Sequence, residues 1–179
     1  MDKNQHLNIK NIQRPIFDAI IIGAGFSGLY QLHSLRNLGL SVKVIEAGSG
    51  VGGTWFWNRY PGARCDSESF TYSYSFSREL FEEWEWTERY PGHTEVVKYL
   101  NYVADKFNLK KDIYFDKRVI SAHYNENNNK WLVKTDSLEE FECKYLITAV
   151  GCLSSKNIPN FAGSDSFLGE NYHTGDSPH

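Results

Sequence analysis

Phe17-Asp18-Ala19-Ile20-Ile21-Ile22-Gly23-Ala24-Gly25-Phe26-Ser27-Gly28 passes from a β-branched apolar run directly into closely spaced glycines. Such a run fits a strand buried on both faces of a parallel sheet. From Ser27, Leu29, Leu32, Leu35 and Leu38 recur at helical spacing, and Gly39 stands where a left-handed C-terminal residue is wanted. Val42-Lys43-Val44-Ile45-Glu46 supplies a second strand. Strand, tight turn, helix and strand together make a β-α-β unit, the opening of a Rossmann-like α/β domain built on a parallel sheet.

Further along, Thr94 begins an amphipathic helix with Val96, Val97, Leu100, Val103, Ala104 and Phe107 on one face, expected to pack on the sheet. Alternating segments around Val119 to Ala122 and Trp131 to Thr135, separated by the Asn125 to Asn129 turn, read as an inserted β-meander. Tyr145 to Val150 reads as another buried strand, and the chain after Leu153 as loop. Asp66 to Tyr90 shows no clean period. The division expected is a polar segment over residues 1–16, the Rossmann-like domain over 17–153, and a linker over 154–179.

With 179 residues and 41% hydrophobic content, the chain can bury one real core. Nineteen Lys and Arg against 22 Asp and Glu leave no basic excess for a nucleic-acid backbone or an anionic membrane. The opening lacks a signal-peptide h-region and a spanning helix, so a cytoplasmic protein is expected. Cys65, Cys143 and Cys152 are odd in number and lack C-x-x-C spacing, which fits buried small hydrophobes better than disulfides or a metal site.

Gly23-x-Gly25-x-x-Gly28 falls between first strand and first helix. There, one glycine makes the turn, one admits a pyrophosphate and one lets helix approach strand, with the helix N-terminus facing the phosphates. Glu46, at the end of the second strand, would accept hydrogen bonds from adenosine ribose hydroxyls and repel a 2′-phosphate, which excludes NADP at this site. It is expected at an exposed strand end. A second glycine-rich loop, Gly50-Val51-Gly52-Gly53-Thr54-Trp55, favours FAD over NAD because it could approach the flavin end of an extended dinucleotide.

From Gly52 through Thr54, Trp55, Trp57, Arg59, Tyr60-Pro61-Gly62 and Arg64 to Asp66, the sequence strongly resembles the Baeyer-Villiger monooxygenases. These are FAD-dependent enzymes that use NADPH and oxygen to convert a ketone to an ester or lactone through a C4a-peroxyflavin. The resemblance implies that Gly25, Phe26 and Ser27 lie along the pyrophosphate, Glu46 on the ribose, and Thr54, Trp55 and Trp57 beside the flavin. It places Asp66 and Tyr72 near the isoalloxazine and the Val119 backbone on the adenine edge. Core packing is the competing reading of both tryptophans. Asp66 is the residue implied in catalysis, orienting an arginine that stabilises the flavin peroxide; Arg59 and Arg64 are not assigned that arginine's role and fit structural counter-ions.

A second family signature is matched by Phe167, Gly169, His173 and Pro178, with Ser177 where the family has tryptophan. It makes His173 a hinge candidate. The NADPH site, the arginine and most of the substrate pocket are expected outside this chain, which would then be a fragment of a longer enzyme or a module acting with a complementing domain or chain. A flavin monooxygenase that oxidises nitrogen or sulfur, and a non-catalytic FAD-binding module, are the alternative functions.

Overall fold

The computed structural model describes residues 14–176; the expectations for residues 1–13, Ser177 and Pro178 lie outside them. Among the described residues six strands form one sheet: β1 (Ile16–Ile22), β2 (Val42–Ile45), β3 (Ile113–Tyr114), β4 (Val119–Asn125), β5 (Lys130–Thr135) and β6 (Glu140–Thr148). Their order is β3-β2-β1-β6-β5-β4. The pairs β2–β3, β1–β2 and β1–β6 are parallel, while β5–β6 and β4–β5 are antiparallel. One half of the sheet is thus Rossmann-like and the other is the meander.

The two halves share a strand. Residues Glu140 to Cys143 pair with β5, and from Glu142 onward the same strand pairs with β1. The meander is therefore continuous with the parallel sheet, and the strand read in sequence over Tyr145 to Val150 begins earlier, at Glu140, and ends at Thr148. Nor is its second part fully buried: Tyr145 is 51% exposed, because the antiparallel partner ends and no element of the described residues covers that face.

Helix α1 (Phe26–Asn37) joins β1 to β2 and ends as expected, with Gly39 at φ 80°. Two short helices, α2 (Thr54–Trp57) and α3 (Arg78–Glu83), precede α4 (His93–Lys106). The α4 face packs Val96, Tyr99, Leu100, Val103 and Ala104 into one core with Ala19, Ile21, Leu29, Leu32 and Val44. Tyr99 belongs to this face although its ring interrupts the aliphatic pattern. A smaller core on the opposite side of the sheet joins Ile20, Ile45, Val133, Phe141 and Cys143. Among the described residues no helix is long and apolar enough to cross a membrane.

Candidate dinucleotide site

The chain leaves β1 toward β2 on one side, and β6 returns on the other, so the strand order switches direction at β1. Ligands of open α/β sheets bind at such a crevice beyond the strand ends. Gly23 lies there, with its φ at 103° and the carbonyl of Ala149, just past β6, so close that a Cβ on Gly23 would meet it at 2.6 Å. A Cβ on Gly28 would stand 1.9 Å from the Gly23 carbonyl oxygen, so helix and turn touch through backbone alone.

Gly25 is the extended N-cap of α1; having no side chain it caps no amide, and no acid stands in the first turn. The first-turn amides thus keep their capacity for an external acceptor, and the positive end of the helix dipole points the same way. Ser27 is exposed beside them.

The second glycine loop meets the first. Gly52 N–H donates to the Ala24 carbonyl at 3.1 Å, and a Cβ on Gly53 would come within 2.9 Å of the Gly25 Cα. This loop sits directly against the helix-opening turn, with Phe56 packed beside Gly48, Gly50 and Gly52. Thr54 and Trp55 then open α2 beside the same turn.

Glu46 departs from expectation. It is 4% exposed, and its carboxylate accepts from the Ala24 N–H at 2.6 Å and the Gly48 N–H at 2.7 Å. The acid therefore ties β2 to both loops, while a carboxylate's remaining lone pairs stay available for hydroxyl donors. The same corner receives the approach to β4: Asp116 N–H donates to the Gly48 carbonyl and Lys117 N–H to that of Glu46. Val119 begins β4 two residues later, next to the Glu46 loop.

On the other side of Gly25, the Trp55 indole N–H donates to the Tyr72 hydroxyl at 3.0 Å, with the two rings perpendicular. Phe26 packs its ring edge-on against Tyr72 at 4.9 Å. Burial pushes the Tyr72 phenol up; the Trp55 N–H opposes that, and the nearby Cys65, Asp66 and Cys152 add to it. Asp66 itself is exposed, with Ser67 Oγ at 3.5 Å.

Other residues singled out in the sequence have partners of their own. Trp57 is 44% exposed and packs on Phe56. Arg59 donates to the Phe56 carbonyl and lies over its ring, and Arg64 pairs with Glu88, so both serve structure. Cys152 is exposed, unlike the buried Cys65 and Cys143, because it follows β6 into the open tail. His173 bonds within that tail, to the Asn157 carbonyl and the Gly175 N–H. Sequence reasoning missed Gly48 and Ala149. The only available signal was the second glycine cluster and the Gly151 that follows β6.

Residues 20–179 match the family described as "Pyridine nucleotide-disulphide oxidoreductase". A Baeyer-Villiger monooxygenase of Pseudooceanicola batsensis is 50% identical over 90% of this chain and 30% of its own length. A phenazine N-monooxygenase of Lysobacter antibioticus is 49% identical over the same shares. A crystal structure of OTEMO in complex with FAD and NADP superposes with a TM-score of 0.84 at 42% identity, over 93% of this chain and 32% of that one. The resemblance to Baeyer-Villiger monooxygenases read from the sequence is thereby borne out. The chain spans about a third of the length of these relatives.

Proposed function

Because this chain belongs to the pyridine nucleotide-disulphide oxidoreductase family, we propose that it is the FAD-binding portion of an NADPH- and oxygen-dependent monooxygenase of Baeyer-Villiger type. The observation that carries the reading is the joint placement of an uncapped α1 N-terminus, the Gly25–Gly53 backbone approach and the Glu46 carboxylate in one crevice at the strand switch. A Cβ at Gly25 or Gly53 would push the two turns apart, so these glycines let both backbones crowd together at the α1 N-terminus, where a pyrophosphate would meet main-chain amides.

In this scheme the first-turn amides at Gly25, Phe26, Ser27 and Gly28 hold the pyrophosphate, and Gly23 sets the turn. Glu46 uses its remaining lone pairs on the ribose hydroxyls, and its charge disfavours a 2′-phosphate there. The Val119 backbone borders the adenine. Trp55, locked by its hydrogen bond to Tyr72, forms a wall on the flavin side with Thr54 and Trp57. Asp66, exposed at the rim, is free to accept and orient an arginine contributed by another part of the enzyme. Bound FAD would supply the capacity to accept hydride from NADPH and activate oxygen for transfer to a ketone. A cytoplasmic location accompanies the reading, in keeping with three free cysteines.

A second reading, oxidation of nitrogen, is favoured by the phenazine N-monooxygenase, nearly as similar as the ketone enzyme. Overall similarity therefore does not separate the two chemistries. Product analysis of the whole protein that carries this segment does: with NADPH, oxygen and a cyclic ketone, mass spectrometry should find the lactone. Absence of lactone together with N-oxide formation from an aromatic heterocycle would overturn the ketone assignment.

A further inference from the structure

Rings from the aperiodic, aromatic-rich stretch between Trp55 and Tyr90 join Phe26 of α1 and Tyr99 and Tyr102 of α4 in a file that runs from the candidate flavin wall to the surface beside α4. Trp55 and Tyr72 are 5.9 Å apart between ring centroids, Tyr72 and Phe26 4.9 Å, and Phe26 and Tyr99 6.2 Å. Tyr99 and Trp84 follow at 5.3 Å, then Trp84 and Tyr102 at 5.4 Å. Every ring but Phe26 is an indole or a phenol, the aromatic side chains that give up an electron most readily. Electron transfer falls off steeply with distance, so several short steps outrun one long one. The longest step here spans the single Phe26 ring.

We propose that Trp55, Tyr72, Tyr99, Trp84 and Tyr102 form a conduit that carries oxidising equivalents from the dinucleotide crevice to the surface, with Tyr102 as the terminus.

The hydrogen bonds decide where a hole can rest. An oxidised ring is trapped when its proton leaves for a base. The buried Trp84 Nε1 has no hydrogen-bond partner among the described residues, so an oxidised Trp84 keeps its proton and stays a strong oxidant. Tyr99 accepts from the Tyr74 N–H and its neighbour Ser73 is a hydroxyl, which is no base for its proton. Tyr102 differs: its hydroxyl donates to the Glu83 carboxylate at the protein surface, within an ion-pair cluster that includes Lys106 and Glu79. One electron passes from Tyr102 to the Trp84 radical cation, restoring the neutral indole, while the phenol proton passes to Glu83. The oxidant is an oxygen-centred radical formed beside Trp55, which is reduced by that one electron. Plain ring packing would require neither a carboxylate at one end nor an orphaned indole in the middle.

The purpose of the conduit, sparing an oxygen-handling crevice from self-oxidation, rests on the proposed function, but its test does not need the flavin. Cys152 lies near Tyr72 and is exposed, whereas Cys65 is 3% exposed and burial pushes the Cys143 thiol up to about 11. A thiol-reactive ruthenium polypyridyl complex should therefore attach at Cys152. Flash excitation with a soluble ruthenium(III) hexaammine quencher then creates a one-electron oxidant there, followed by transient absorption and electron paramagnetic resonance. A long-lived tyrosyl radical is expected, falling at least tenfold in Tyr102→Phe while an indole radical cation persists in its place. Glu83→Gln, a surface change that leaves Lys106 its pair with Glu79, should lower the yield in the same direction and covers the case in which Tyr102→Phe misfolds. An unchanged tyrosyl yield in a folded variant, or a radical confined to Tyr72, would overturn the proposal. FAD titration of the same protein addresses the cofactor reading separately.

Discussion

Glu46 is placed by its sequence position and reshaped by its partners. Distance from the glycine motif and the end of a strand mark it as the ribose acid, yet nothing in that pattern reveals that its two oxygens also hold the Ala24 and Gly48 amides. The acid is therefore an element of the fold as well as of the proposed site. In Glu46→Gln one backbone N–H faces an amide NH2 in place of an oxygen, and a buried donor left unsatisfied costs about 1–3 kcal/mol. Urea denaturation should show a loss of that size, accompanied by weaker FAD binding. Undiminished stability would mean that the carboxylate is not the brace described. The Trp55–Tyr72 pair was legible as residue types, but its perpendicular hydrogen-bonded arrangement was not, because aromatic composition carries no information on ring orientation.

At the scale of elements, β1 and β2 were readable as short, β-branched apolar runs, and α1 and α4 because each repeats apolar residues at the helical period of 3.6. β6 was not, since it changes partners midway: the alternation that suits the meander stops near Cys143 and a parallel-sheet pattern takes over. The segment from Asp66 to Tyr90 resisted reading for another reason. Its order comes from rings packed around Phe26 and Tyr99, together with the Ser77-capped α3, and long-range packing leaves no local period. The β1–α1 junction yields a direct contrast. Gly28→Ala drives a Cβ into the Gly23 carbonyl, which cannot move without opening the crevice, and should cost about 3 kcal/mol or more. Gly39→Ala meets nothing within 4 Å and pays only for its left-handed backbone, about 1–2 kcal/mol. Thermal melts of the two variants should rank in that order; equal losses would contradict the close helix–strand contact.

For the molecule as a whole, the sequence conveyed an FAD-type α/β domain and a loop-like tail, and the structure has both. It did not convey how much apolar surface that tail presents: Leu153, Ile158, Phe161, Phe167 and Leu168 are all more than half exposed. In the proposed assignment the glycine turn and Glu46 serve the adenosine and pyrophosphate end, with only the Trp55 and Tyr72 wall toward the flavin. The 179-residue polypeptide by itself should therefore bind FAD weakly and consume no NADPH in response to ketones. The most direct test is a titration of the isotope-labelled chain with FAD, and then with ADP, followed through backbone amide resonances. Weak, saturable shifts are predicted at residues 23–28, 46–48 and 52–55, with ADP reproducing those at 23–28 and 46–48. Shifts confined to other regions, or none in these segments at millimolar FAD, would contradict the assignment of this crevice to the dinucleotide.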